Sequence, residues 1–132
     1  MKRNKLNIRI NKPVHTVFTF TITPPNSTLW TSSLVKEETN EWPIRIGTIY
    51  KLQNKNGEDS EVVVTAIKEN EYVEWISKDR NYHCRYTFKS IDENDSELEY
   101  YEWVDKGDLE EPFTLNILEK LKSVLESENI RS

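Results

Sequence analysis

Residues 111–126 read EPFTLNILEKLKSVLE, and this stretch decides the fold. Placed at about 100° per residue, Phe113, Ile117, Leu118, Leu121, Val124 and Leu125 fall on one side of a helix, and Lys120, Lys122, Ser123 and Glu126 fall off it. Leu115 alone among the large apolar residues points the other way. Pro112 suits the first helical position, where no N–H is needed, and Glu110 and Glu111 sit near the positive end of the helix dipole. At roughly 1.5 Å per residue the predicted helix is about 20 Å long. Its apolar stripe needs a sheet to lie against, and nearly everything before it reads as strand.

At the other end, Leu6, Ile8 and Ile10 alternate with Asn7 and Arg9, the period of a strand with one buried face. Pro13 opens a short helical segment in which Val14, Val17 and Phe18 share a face, and Pro24-Pro25 stops it. A second helical turn is expected over 27–31, with Trp30 as an anchor into the core or the mouth of a cavity. Hairpins follow. Strands are predicted over 34–39, 46–53, 61–68, 72–77 and 82–89, and a last one carries Leu98, Tyr100, Glu102 and Val104 on one face. The turns between them hold Asn54-Lys55-Asn56-Gly57, Glu69-Asn70, Asp79-Arg80-Asn81 and the polar run 92–96. Strands joined by such short turns are antiparallel, so the last six form a meander that must curl. The fold class is α+β: a curved antiparallel sheet of about seven strands around a C-terminal helix, with two short helices after the first strand.

The chain has 132 residues, enough for one core and too few for two, so a single domain is expected over 1–132. A net charge of −5 argues against a nucleic-acid footprint, which needs a clustered basic surface. No apolar run approaches the ~20 residues of a membrane span, and the N-terminus lacks a signal peptide's hydrophobic segment, so a cytoplasmic location is expected. One cysteine excludes an internal disulfide, and two histidines without a cysteine pair cannot assemble the usual zinc sets. No metal and no cofactor are expected. Neither a glycine-rich phosphate loop nor a G-x-S-x-G elbow is present.

Several local sequences resemble the START-like, or SRPBCC, superfamily, whose helix-grip fold is also that of the birch-pollen allergen. Ile10-Asn11-Lys12-Pro13-Val14-His15-Thr16-Val17-Phe18 is similar to the family's opening, a strand followed by a proline-led helix ending in Val-Phe. Trp30 resembles the tryptophan of its second short helix, Ile46-Gly47-Thr48 the glycine-containing start of its third strand, and Pro112 to Leu125 its gripping helix. The resemblance spans Ile8 to Leu125 and is closest to the polyketide-cyclase/dehydrase and lipid-transport group, then to the group resembling the activator of a heat-shock chaperone ATPase. It implies a small hydrophobic or lipid-like ligand held between sheet and helix; a minority of such proteins do chemistry on that ligand. A gripping helix of only about fifteen residues implies a small or partly open cavity. Rieske-oxygenase relatives need an iron site, for which the histidines are too few.

Within that frame Glu102 is the sharpest candidate, because it takes the inward parity between Tyr100 and Val104 while every other strand charge can be placed outward. A desolvated carboxylate there could orient a ligand hydroxyl or act as a base. A bulge near Tyr100-Tyr101 would instead turn it to the surface. Tyr50, Trp75, Tyr86, Phe88 and Tyr100 are the expected aromatic lining, with core filling as the alternative for each, and the tyrosine hydroxyls would supply polar contacts. Trp30, Phe113 and Ile117 complete the expected ligand-binding set. His83 and Cys84 are adjacent on a strand and face opposite ways, so they cannot form a nucleophile and base. No catalytic residue is assigned. The expected partner is a small hydrophobic molecule; a protein-interaction module and a cyclase or dehydratase that shapes its substrate remain alternatives, as do monomer and homodimer.

Overall fold

The computed structural model describes residues 1–127, so residues 128–132 of the expected domain lie outside the described part. Strand β1 (Arg3–Ile10) is followed by helix α1 (Val14–Ile22) and a 3-10 turn (Asn26–Leu29). Strands β2 (Leu34–Thr39), β3 (Ile49–Asn54), β4 (Asp59–Lys68), β5 (Tyr72–Ser77), β6 (Tyr82–Ser90) and β7 (Ser96–Val104) then lead to helix α2 (Leu115–Leu125). All neighbours are antiparallel, in the order β1-β7-β6-β5-β4-β3-β2. The meander over β2–β7 is as predicted, and β1 joins it beside β7. The chain thus crosses from one sheet edge to the other between β1 and β2, and α1 and the 3-10 turn make that crossing. The result is a helix-grip fold.

Helix α2 differs from the sequence reading at its start. Its eleven residues begin at Leu115, after an extended Thr114 with φ −112° and ψ 161°, so the helix is about 16 Å long. Pro112 and Phe113 are not helical. The physical reason is tertiary: the Phe113 N–H donates to Glu102 Oε2 at 2.8 Å, and its ring stacks on Tyr100 with centroids 4.3 Å apart. These two contacts hold the segment extended where local propensity favours a turn of helix. Further along, Leu118, Leu121 and Leu125 are fully buried and Leu115 is exposed, as the stripe requires.

One strand start moves and one strand carries a bulge. Strand β3 starts at Ile49, because Gly47 has a positive φ of 97° and Thr48 Oγ1 accepts the Arg45 N–H at 2.9 Å, making 45–48 a turn. The residue pairing of β2 slips between Leu34 and Lys36. That bulge decides the site.

Candidate functional site

Between α1, the 3-10 turn and the concave face of β2–β7 lies a cavity of about 230 Å³. Its wall is a chain of aromatic rings. Tyr50 meets Trp75 edge to face at 5.5 Å, Trp75 meets Tyr86 at 5.3 Å, and Tyr86 meets Tyr100 at 5.2 Å before the Tyr100–Phe113 stack. Each such contact stabilises by roughly 0.5–1.5 kcal/mol beyond area burial, so the wall is preorganised before anything enters. Strand register explains the alignment: Val64 pairs with Trp75, Trp75 with Cys84, and Tyr86 with Tyr100, and antiparallel partners point to the same face.

The nine residues expected to contact a ligand separate into three groups. Tyr50, Trp75, Tyr86, Tyr100 and Phe113 line the cavity. Trp30, Phe88 and Ile117 do not: Trp30 and Phe88 are buried in the core, Trp30 edge-on to Phe113 at 6.2 Å and Phe88 edge-on to Phe18 at 5.2 Å, and Ile117 packs half-buried against that core from α2. The shorter helix explains Ile117, since α2 covers the β1 side of the sheet rather than the cavity. Glu102 stands behind the wall. The pairing of β7 runs without a break through Tyr100 and Tyr101 on both sides, so Glu102 faces inward and is 1% exposed.

Four donors converge on the Glu102 carboxylate. Oε1 accepts the Tyr82 hydroxyl at 2.7 Å and the Tyr100 hydroxyl at 3.1 Å, while Oε2 accepts Asn4 Nδ2 at 2.9 Å and the Phe113 N–H. Asn4 Nδ2 also donates to the Phe113 carbonyl at 2.9 Å. The cluster therefore ties β1, β6 and β7 to the loop before α2. It also uses up the Tyr82 and Tyr100 hydroxyls, and Tyr50 donates its own to the Ile22 carbonyl at 2.6 Å. Of the hydroxyls expected as ligand contacts, those of Tyr50 and Tyr100 thus hold the wall together.

The polar groups that face the cavity are others, and Glu37 is the chief one. Strict alternation from Leu34 pairs Glu37 with exposed Val35, but the β2 bulge lets Leu34 and Glu37 both point inward, opposite Asn54 and Leu52. Sequence reading placed every strand charge except Glu102 outward; Glu37 corrects it. Its Oε1 accepts the Ser27 N–H at 3.2 Å. Burial raises its pKa, against the lowering effect of the Ser27 hydrogen bonds. Burial likewise raises the pKa of the Tyr50, Tyr82, Tyr86 and Tyr100 phenols and of the Cys84 thiol, so these groups are neutral at physiological pH. Thr21 Oγ1 and Trp75 Nε1, both buried on the cavity wall, have no hydrogen-bond partner. Neither Glu37 nor Thr21 carries a sequence motif; a bulge and a helix end put them there.

The cavity opens into a trough of about 1100 Å³ between the β3–β4 and β5–β6 turns and the loop before α2, sharing Leu52, Asn54, Tyr82 and Phe113 with it. On the outer face of the sheet His83 stacks on Trp103 at 4.7 Å and meets Asp105 Oδ2 at 3.0 Å, away from Cys84 on the inner face. Among the described residues there is no group of three or more His, Cys, Asp or Glu placed to hold a metal, and no helix is long and apolar enough to cross a membrane.

No protein-family model and no curated protein matches this sequence. Solved structures do match, at identities that carry the fold and no more. They include the Aha1 dimer from Colwellia psychrerythraea, 15% identical with a TM-score of 0.69 over 98% of this chain and 99% of that one. Norcoclaurine synthase from Thalictrum flavum, in complex with dopamine and hydroxybenzaldehyde, is 10% identical with a TM-score of 0.67 over 98% and 89%. A polyketide-cyclase-like protein from Corynebacterium glutamicum is 18% identical with a TM-score of 0.58 over 80% and 67%. The helix-grip fold is common ground with these structures.

Proposed function

We propose that this protein binds a small, largely apolar molecule in the cavity walled by Tyr50, Trp75, Tyr86, Tyr100 and Phe113. The observation that carries the reading is the wall itself: a continuous aromatic surface bordering a cleft of about 230 Å³ whose lining is mostly apolar. A space of about 150 Å³ holds one benzene ring, so this cavity suits a single ring with a short substituent rather than a long acyl chain. The related fold of norcoclaurine synthase, crystallised with dopamine and hydroxybenzaldehyde, is consistent with guests of that size.

Holding is favoured over turnover. Both Glu102 oxygens are engaged by donors from the protein, which makes this carboxylate a strut for the wall. Cys84 is kept as a neutral thiol by burial, and thiols react as thiolates. Native mass spectrometry of the purified protein, followed by organic extraction, tests the reading: a stoichiometric small adduct supports it. Release of a long-chain lipid would contradict the size argument.

A further inference from the structure

We propose that the molecule held in this cavity is a protonated amine carried on a single aromatic or apolar ring, with Glu37 as its counter-ion. The inference rests on the cavity-binding reading above and names the chemistry of the guest.

Glu37 is 9% exposed and makes no ion pair with any described residue; its hydrogen bonds come from Ser27 alone, from the backbone N–H at 3.2 Å and from the side chain. A carboxylate withdrawn from water without a cation is costly, and a bound ammonium removes that cost by completing the pair. Glu37 also lies close enough to Tyr50 and Tyr86 for its charge to act on both phenols. An ammonium beside Glu37 is therefore bordered by aromatic rings, whose faces attract cations most strongly where water is excluded.

Two further residues of the lining, Thr21 and Trp75, hold unpartnered polar atoms. Thr21 Oγ1 is 2% exposed at the residue level and unpartnered, and a hydroxyl oxygen accepts an ammonium proton. Trp75, 7% exposed, lines the cavity with its ring and keeps an unpaired indole N–H beneath that surface. The entrance carries the matching charge. Eight carboxylates besides Glu102 line the trough, Glu110 and Glu111 among them, against three lysines, and a cleft lined by one sign of charge concentrates the opposite ion. Aromatic walls, an unpaired carboxylate and an acidic mouth independently select a cation.

Benzylamine and benzyl alcohol, similar in shape and different in charge, separate the possibilities by titration calorimetry on the full chain near neutral pH. Benzylamine is expected to bind roughly tenfold or more tightly than benzyl alcohol, with the preference shrinking as salt is added. In Glu37→Gln, checked for an unchanged circular dichroism spectrum, benzylamine is expected to weaken by about the same factor while benzyl alcohol stays within about twofold. Equal affinities for the two probes in the wild-type chain, or a benzylamine affinity untouched by Glu37→Gln, overturns the amine assignment and leaves the cavity reading standing. Absence of saturable binding by either probe overturns both. The wild-type comparison stands without the variant, so a Glu37→Gln chain that fails to fold still leaves the assignment decided.

Discussion

Glu102 Oε2 accepts the Phe113 N–H at 2.8 Å, so the last strand of the sheet holds the loop that lays the Phe113 ring against the cavity. This single bond joins the end of the meander to the approach of the gripping helix. The same carboxylate accepts three further hydrogen bonds, from Asn4, Tyr82 and Tyr100.

Replacing Glu102 tests that role. In Glu102→Ala the Asn4 amide, the Phe113 N–H and two phenols lose their acceptor, and the expected loss is about 3–5 kcal/mol. In Glu102→Gln the amide oxygen can keep Asn4 and Phe113 while the Tyr82 and Tyr100 hydroxyls rotate to accept from the new NH₂, so the loss is roughly 1–2 kcal/mol. Urea denaturation of both variants gives the comparison. Equal losses would show that donor counting does not describe the cluster.

Glu37 sets a pH dependence of the opposite kind to an ordinary salt bridge. Its folded-state pKa is raised by burial above the 4.5 of an exposed glutamate. The folded state therefore binds the proton more tightly, and its relative stabilisation is complete below the unfolded value and lost as pH rises through the folded one. Unliganded wild-type protein should gain stability relative to Glu37→Gln as pH falls through that window. Glu126, where the upward push of burial is outweighed by Lys122 and the Asn11 amide, loses stability on acidification, but it does so in both chains and cancels in the difference. Thermal melts of the two proteins from neutral pH to about pH 4 provide the measurement, and a constant difference would contradict the raised pKa.

Cys84 reports on the cavity chemically. Burial raises its pKa and it lies on the wall. Iodoacetamide should modify the native chain on the order of a hundredfold more slowly than the urea-unfolded chain. Benzylamine in the cavity should slow it further, and a rate indifferent to the ligand would place the binding elsewhere.

Helix α2 should behave as the main clasp. Leu121 is fully buried among the core residues of the sheet side, and Leu121→Ala is expected to cost about 3–4 kcal/mol, whereas Leu115→Ala, at an exposed position, should change stability by less than about 0.5 kcal/mol. Chemical denaturation decides between this and a helix that merely lies on the surface.

What the sequence disclosed follows from which signals are local. The alternation of Leu98, Tyr100 and Glu102 survives because β7 pairs on both sides without a bulge, and the apolar stripe of α2 survives because a helix has one period throughout. The inward turn of Glu37 was hidden by the slip between Leu34 and Lys36, which no alternation pattern reveals. Phe113 read as helical because its own neighbourhood favours helix, while the contacts that hold it extended come from Glu102 and Tyr100, eleven and thirteen positions away. Trp30, Phe88 and Ile117 fill the core instead of the cavity because burial and ligand contact demand the same residue types.

Binding of a small guest against the aromatic wall is tested most directly at Trp75, a lining residue whose indole N–H is buried without a partner. In a ¹⁵N-labelled sample titrated with benzylamine, the Trp75 indole resonance is predicted to shift saturably, while that of Trp42, 53% exposed and outside the lining, stays in place. A Trp75 resonance that does not move, or one that moves linearly in step with Trp42, would contradict a binding cavity at this site.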